Sequence, residues 1–248
     1  VVAKKAMDLR WLPVAMAALL FVLWSVAWCI ADLEAFRARV WAETWYNLTK
    51  VAAQKGLPYE PEADDWELAH QHAEHAVLLA PLSSEYHEIL ARVYVSRYLN
   101  APDADAQAQP YLEKAAASYR DAIRLRPTWP YNYTGLAYTL RRMGKLDAEY
   151  EQSMRQALHY GPWEPGIMRA VVRINLDILP RLPASTRQLV LDTLMRGQGW
   201  TEDTKGSPVP YGDQVWGEVV ASHKQWVVCG WLPMSSPQIK FRCSPANI

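Results

Sequence analysis

Neither sign of charge is in excess in this chain, where 26 Lys and Arg balance 26 Asp and Glu. A nucleic-acid-binding domain normally carries a strong basic surplus, so no nucleic-acid partner is expected. Signatures of catalysis are missing as well: the sequence has no P-loop, no G-x-S-x-G, no C-x-x-C and no Rossmann glycine pattern. His87-Glu88 begins like the H-E-x-x-H of zinc proteases, but Ala91 stands where the second His belongs. The expectation is a protein that is not an enzyme and needs no cofactor.

Phe is scarce, 3 residues against 12 Trp and 13 Tyr. The aromatic content therefore favours rings with an apolar body and a polar tip, which suit membrane interfaces and binding surfaces. Cysteine is also rare. Of the three, Cys29 falls in an apolar run, while Cys229 and Cys243 lie together near the end and are expected to form a disulfide in an oxidising compartment.

Residues 11–31 (WLPVAMAALLFVLWSVAWCIA) form one uncharged run. At helical rise about 20 residues cross a hydrocarbon core of roughly 30 Å, so the run is read as a transmembrane helix in contact with the bilayer. Lys4, Lys5 and Arg10 precede it and Asp32 and Glu34 follow. The positive-inside bias then leaves residues 1–10 as a cytoplasmic stub and places the bulk of the chain outside. A signal peptide with a weak cleavage site at Cys29-Ile30-Ala31 is the competing reading. Beyond the run Leu33, Phe36, Val40, Trp41, Thr44, Trp45, Leu48 and Val51 keep a helical period, so the membrane helix is expected to continue to about Gln54. Lys55-Gly56-Leu57-Pro58 stops it, and residues 32–61 are read as a juxtamembrane helix and linker.

The centre of the chain repeats. Leu90, Ala91 and Tyr94 are followed by Ala115, Tyr119, Ala122 and Pro127; then Tyr133, Leu136, Ala137 and Leu140 are followed by Gly144, Tyr150, Met154, Ala157 and Pro162. Ala69, Ala73, Ala76 and Pro81 read as the end of an earlier unit. This order of large, small and aromatic positions with a stop proline resembles the tetratricopeptide (TPR) repeat, two helices in about 34 residues. Pro127 and Pro162 are 35 residues apart, whereas Pro81 and Pro127 are 46 apart. The surplus fits residues 100–110 (NAPDADAQAQP), which lack periodicity and are expected to form a long loop between helices. Residues 166–179 and 186–196, with Ser185 as cap and Gly197 as stop, form a less typical pair, as at the end of a solenoid. The repeat domain is thus placed at 62–196.

Residues 197–248 form the last segment. Val215, Trp216, Val219, Val220, Trp226, Val227, Val228 and Trp231 are expected in short strands around a Ser222-His223-Lys224 turn, closed by the cysteines. The fold class expected is all-α: a transmembrane helix, a short TPR-like α-solenoid and a small, Trp-rich irregular or β segment.

The TPR resemblance implies a concave groove lined by the first helix of each pair. It places Glu88, Arg92, Tyr131, Thr134, Tyr138, Arg141, Arg142, Arg169 and Arg173 on that face. Arginine forks suit carboxylates and phosphates, and tyrosines stack on rings; an ordinary solvated helix face is the alternative. His72 and His75 share a helix face and are the candidate metal ligands, with solvated surface histidines as the plainer reading. Asn47 and Asn132 match the glycosylation sequon by chance. The layout resembles single-span TPR proteins of bacterial inner membranes found with exopolysaccharide assembly and secretion systems. That resemblance implies a periplasmic scaffold or adaptor that binds membrane or periplasmic proteins, in envelope polysaccharide synthesis or export. The alternatives are an accessory subunit of a redox or photosynthetic membrane enzyme and, with least weight, a metal-dependent hydrolase.

Overall fold

The computed structural model describes residues 11–197, 200–202, 208–232 and 237–244. Lys4, Lys5 and Arg10, on which the orientation rests, lie outside the described residues. Among the described residues the chain is helical apart from a three-residue antiparallel ladder, and it divides into two compact units, 1–100 and 101–248.

The first unit is built on α1 (Leu12–Gln54), one unbroken helix of 43 residues. Pro13 sits in its first turn, where no amide donor is needed. Gly56, at φ 66°, closes its far end, with the amide of Leu57 donating to Ala52. The two halves of α1 differ. Up to Ile30 none of its side chains is buried, and most of the apolar ones are bare; beyond, Ala31, Ala35, Ala38, Ala42 and Trp45 are buried in a seam three and four residues apart. Against it packs α2 (Ala63–Leu79), which buries Ala69, Ala73 and Ala76 in turn. Alanine on both sides lets the two backbones approach closely, which no larger residue would allow. α3 (Ser84–Ser96) completes the unit, contacting both α1 and α2. Trp66 Nε1 donates to the Val93 carbonyl at 2.8 Å and His87 Nε2 meets the Pro81 carbonyl at 3.0 Å, so α2 and α3 run antiparallel.

The second unit carries α4 (Gln109–Leu125), α5 (Pro130–Arg142), α6 (Ala148–Tyr160), α7 (Pro165–Asn175) and α8 (Ala184–Arg196). The repeat positions turn inward with one exception: Ala115, Tyr119, Ala122, Leu136, Ala137, Leu140, Tyr150, Met154 and Ala157 are buried, whereas Tyr133 is only half-buried. Asp147 caps α6, accepting from the amides of Glu149 and Tyr150. After α7 the chain tightens into a 3-10 turn, Leu176–Arg181, because Pro180 offers no amide. Ser185 is not the cap of α8: the helix begins one residue earlier behind Pro183, and the Ser185 side chain hydrogen-bonds Glu151.

The last segment departs from expectation. Strands β1 (Trp200–Glu202) and β2 (Pro208–Pro210) pair antiparallel with Trp200 opposite Pro210. The valine- and tryptophan-rich stretch, however, is helical, as α9 (Tyr211–Ala221) and α10 (Gln225–Cys229), joined by the expected turn at Ser222-His223-Lys224. Its apolar residues at 215, 216 and 219 fall on one helical face, and α9 buries them against α7 and α8. Burial against existing helices thus overrides the strand preference of valine. Cys229 and Cys243, which follows α11 (Pro237–Arg242), lie at disulfide distance, their Cα atoms 5.6 Å apart.

Candidate functional site

The face formed by α5 and α7 is the part of the second unit where the sequence places partner-binding groups. Two contacts fix its register. Tyr131 Oη donates to Glu164 Oε1 at 2.8 Å at one end, and Arg141 Nη1 donates to the Ile174 carbonyl at 2.7 Å at the other. The helices are therefore side by side and parallel. Glu164 also accepts from the Gly166 amide at the start of α7. Gly166 is needed here, since a Cβ would stand 2.6 Å from the Tyr131 hydroxyl oxygen. Tyr138 is half-buried on α5, and Arg169 and Arg173, one helical turn apart, are exposed on α7. Arg173 sits in the last turn of α7, where a cation meets the negative end of the helix dipole favourably.

Arg141 and Arg142 stand elsewhere than in an open groove. Both reach Asp103 in the 100–110 loop, Arg141 at 3.2 Å and Arg142 at 3.5 Å. Arg142 is buried, donates to the Ala101 carbonyl at 3.0 Å and to Tyr138 Oη at 3.2 Å, and lies over the Tyr138 ring. The amide of Ala104, at φ 64°, donates to the Arg142 carbonyl at 2.7 Å. Loop and helix end are thus clamped at four points, and Gly144, at φ 75°, leaves room for the Ala104 side chain. Sequence reasoning missed Asp103 because nothing in a polar loop marks the one carboxylate that will meet two arginines. The groove expectation for this pair is corrected on that ground: both guanidinium groups are engaged within the chain. Thr134 is likewise buried, its hydroxyl donating to the Tyr131 carbonyl.

Arg92 lies half-buried on α3, in the first unit. There His72 is paired with Glu34 of α1, while His75 is exposed. No group of three metal-ligating side chains converges among the described residues. His70, which sequence reasoning passed over, stacks on Trp66 with centroids 4.8 Å apart and meets both Tyr94 Oη and Glu74 Oε1 at about hydrogen-bonding distance, 3.0 and 3.1 Å. Burial and then the Glu74 carboxylate push the Tyr94 phenol well up. His87 is buried and tied to Pro81, which is a structural use. Asn132 is fully buried and out of reach of glycosylation.

A groove of about 410 Å³ opens between α6 and α8, lined by Arg155, His159, Asp192 and Arg196 among others. Arg155 is bonded to Glu151, and Arg196 donates to the Pro162 carbonyl while lying over the Trp163 ring. Of the tail tryptophans, Trp226 and Trp231 are exposed and Trp216 is buried. Of these three, the first two are therefore accessible to a partner.

No protein-family model matches the chain, and no curated protein matches it. Among solved structures, the crystal structure of a thermophilic TPR protein from Thermus thermophilus is similar at 21% sequence identity and a TM-score of 0.48, covering 73% of this chain and 81% of that one.

Proposed function

We propose that the protein is a membrane-anchored scaffold that binds another protein on its extracytoplasmic face, as part of an inner-membrane assembly in the bacterial envelope, one for polysaccharide synthesis or export. The observation that carries this reading is α1. Its first half is apolar, has no buried side chain and is long enough to cross a bilayer, and its second half is the packing partner of α2 and α3. An anchor continuous with a helical body holds that body at the membrane instead of tethering it loosely. In this reading residues 1–10 are cytoplasmic, 11–31 cross the membrane, 32–61 link, 62–196 form the repeat body and 197–248 close it.

Binding is favoured over hydrolysis because the one histidine pair with a shared helix face is split, His72 facing Glu34 and His75 facing solvent. The partner surface in this reading is Tyr131, Tyr138, Arg169 and Arg173 in the second unit, with Arg92 in the first as a separate contact. Extraction in mild detergent followed by identification of co-purifying proteins tests it. A partner released on mutation of the α5 and α7 face supports the scaffold. A stoichiometric membrane enzyme that stays bound would make the chain an accessory subunit, and a protein with no partner in the membrane fraction would overturn the reading.

A further inference from the structure

Leu78 and Leu82 are the most exposed large apolar side chains among the described residues, at 76% and 77%, more bare than the large apolar side chains of the first half of α1. They flank the turn from α2 to α3, with Pro81 exposed between them. A soluble protein gains nothing by holding two leucines in water beside a proline, and the fold explains where they are held.

Two contacts set the height of this turn on α1. His72 meets Glu34, and Tyr86 Oη donates to Asp32 Oδ1 at 3.2 Å. α2 doubles back along α1, so the six residues from His72 to Leu78 travel about 9 Å toward the start of α1, and the six from Glu34 back to Trp28 travel the same distance. Leu78 therefore stands level with Trp28, inside the uncharged run and not beyond it. The ring of Tyr86 confirms the level, lying 6.1 Å from that of Trp28, which is in turn 5.9 Å from Trp24. Trp24 and Trp28 thus stand at or just below this level on α1, and tryptophan on a membrane helix is enriched at the lipid headgroup zone.

We propose that the α2 to α3 turn is a second membrane contact: Leu78 and Leu82 insert into the outer headgroup and upper acyl region beside the point where α1 leaves the bilayer. The occupant of this surface is lipid. The proposal rests on the reading of residues 11–31 as a membrane span, since the apolar surface of the turn continues that of the span at the same height. Two contacts on neighbouring helices fix the tilt of the first unit, which a single helix cannot do. Arg39, paired with Glu85, and the Asp32 carboxylate under Tyr86 form the polar collar just above it.

The test uses the full chain with Cys29→Ser, reconstituted in phosphatidylcholine vesicles that contain lipids spin-labelled on the upper acyl chain. A fluorophore is attached to one new cysteine at a time, from Leu82→Cys, from Trp24→Cys in the span, and from Leu68→Cys, an exposed site on α2 about 15 Å further from the span than Leu78. The expected result is loss of emission at positions 82 and 24 and none at 68. If position 24 is quenched and 82 is not, the span stands and the second contact is overturned. If position 24 is also unquenched, the span reading has failed and takes this proposal with it. Shielding of position 82 that grows with protein concentration but is indifferent to labelled lipid would assign the surface to a second copy and overturn the lipid assignment. Circular dichroism of each variant confirms that the helices are intact.

Discussion

Arg141 Nη1 donates to the backbone carbonyl of Ile174, 33 residues further on, at 2.7 Å. That carbonyl belongs to the last turn of α7, where the helix leaves acceptors without intrahelical donors. One side chain at the end of α5 thus completes the end of α7, while its Nε group holds Asp103 in the preceding loop.

Asp103→Ala should therefore cost stability although the residue is in a polar loop. It removes the carboxylate facing the buried Arg142 and the half-buried Arg141, and the expected loss is about 1 to 3 kcal/mol, less than for a fully enclosed pair because Asp103 is partly solvated. Urea unfolding measures it. A change no larger than the roughly 0.5 kcal/mol of an ordinary surface substitution would show that the clamp does not hold the loop.

Gly135 of α5 faces the ring of Tyr119 on α4. A Cβ there would stand 2.3 Å from Cε1 of Tyr119. Gly135→Ala should overpack this contact by about 1 to 3 kcal/mol despite the better helix propensity of alanine. Combining it with Tyr119→Leu should recover part of the loss, a coupling that a double-mutant cycle reads directly. Strictly additive losses would place Tyr119 elsewhere.

Three buried phenols make the fold sensitive to alkali. Burial, helped by the Asp32 carboxylate, pushes Tyr86 up to about 12, and burial raises Tyr94 and Tyr150 as well. The folded state thus favours the neutral phenol. That stabilisation is fully present below the ordinary tyrosine value of about 10 and is lost as pH rises toward the folded values. The melting temperature should fall steadily above about pH 10. Tyr150→Phe should reduce the alkaline fall while lowering stability at neutral pH, because Tyr150 Oη donates to the buried Asn175 Oδ1 at 2.5 Å. An unchanged alkaline profile would exclude Tyr150 as a contributor.

Arg169 and Arg173 replaced together by Ala should weaken partner binding and leave unfolding within about 0.5 kcal/mol of the parent. Charge-assisted contacts of this kind also weaken with salt, since the Debye length falls from about 10 Å at 0.1 M to about 3 Å at 1 M. Binding that is indifferent to both the substitutions and salt would move the docking surface to the exposed Trp163, Trp226 and Trp231.

The local elements were legible in the sequence alone. Small and aromatic residues at helical spacing, stop prolines and the apolar run are short-range signals, and they gave the all-helical class, the continuation of α1 to Gln54 and the inward set from Ala69 to Ala157. Three matters were decided only by tertiary structure. Whether Arg141 and Arg142 face a partner depended on Asp103, about 40 residues away, because a guanidinium goes to whichever carboxylate the fold brings within reach. The state of residues 211–229 depended on the open side of α7, because strand and helix preferences of a valine-rich stretch differ by less than the gain from burying Val215, Trp216 and Val219. The height of Leu78 and Leu82 beside Trp28 depended on where α2 docks along the alanine seam of α1, and registry between two helices is a property of their contact surface that neither helix carries by itself.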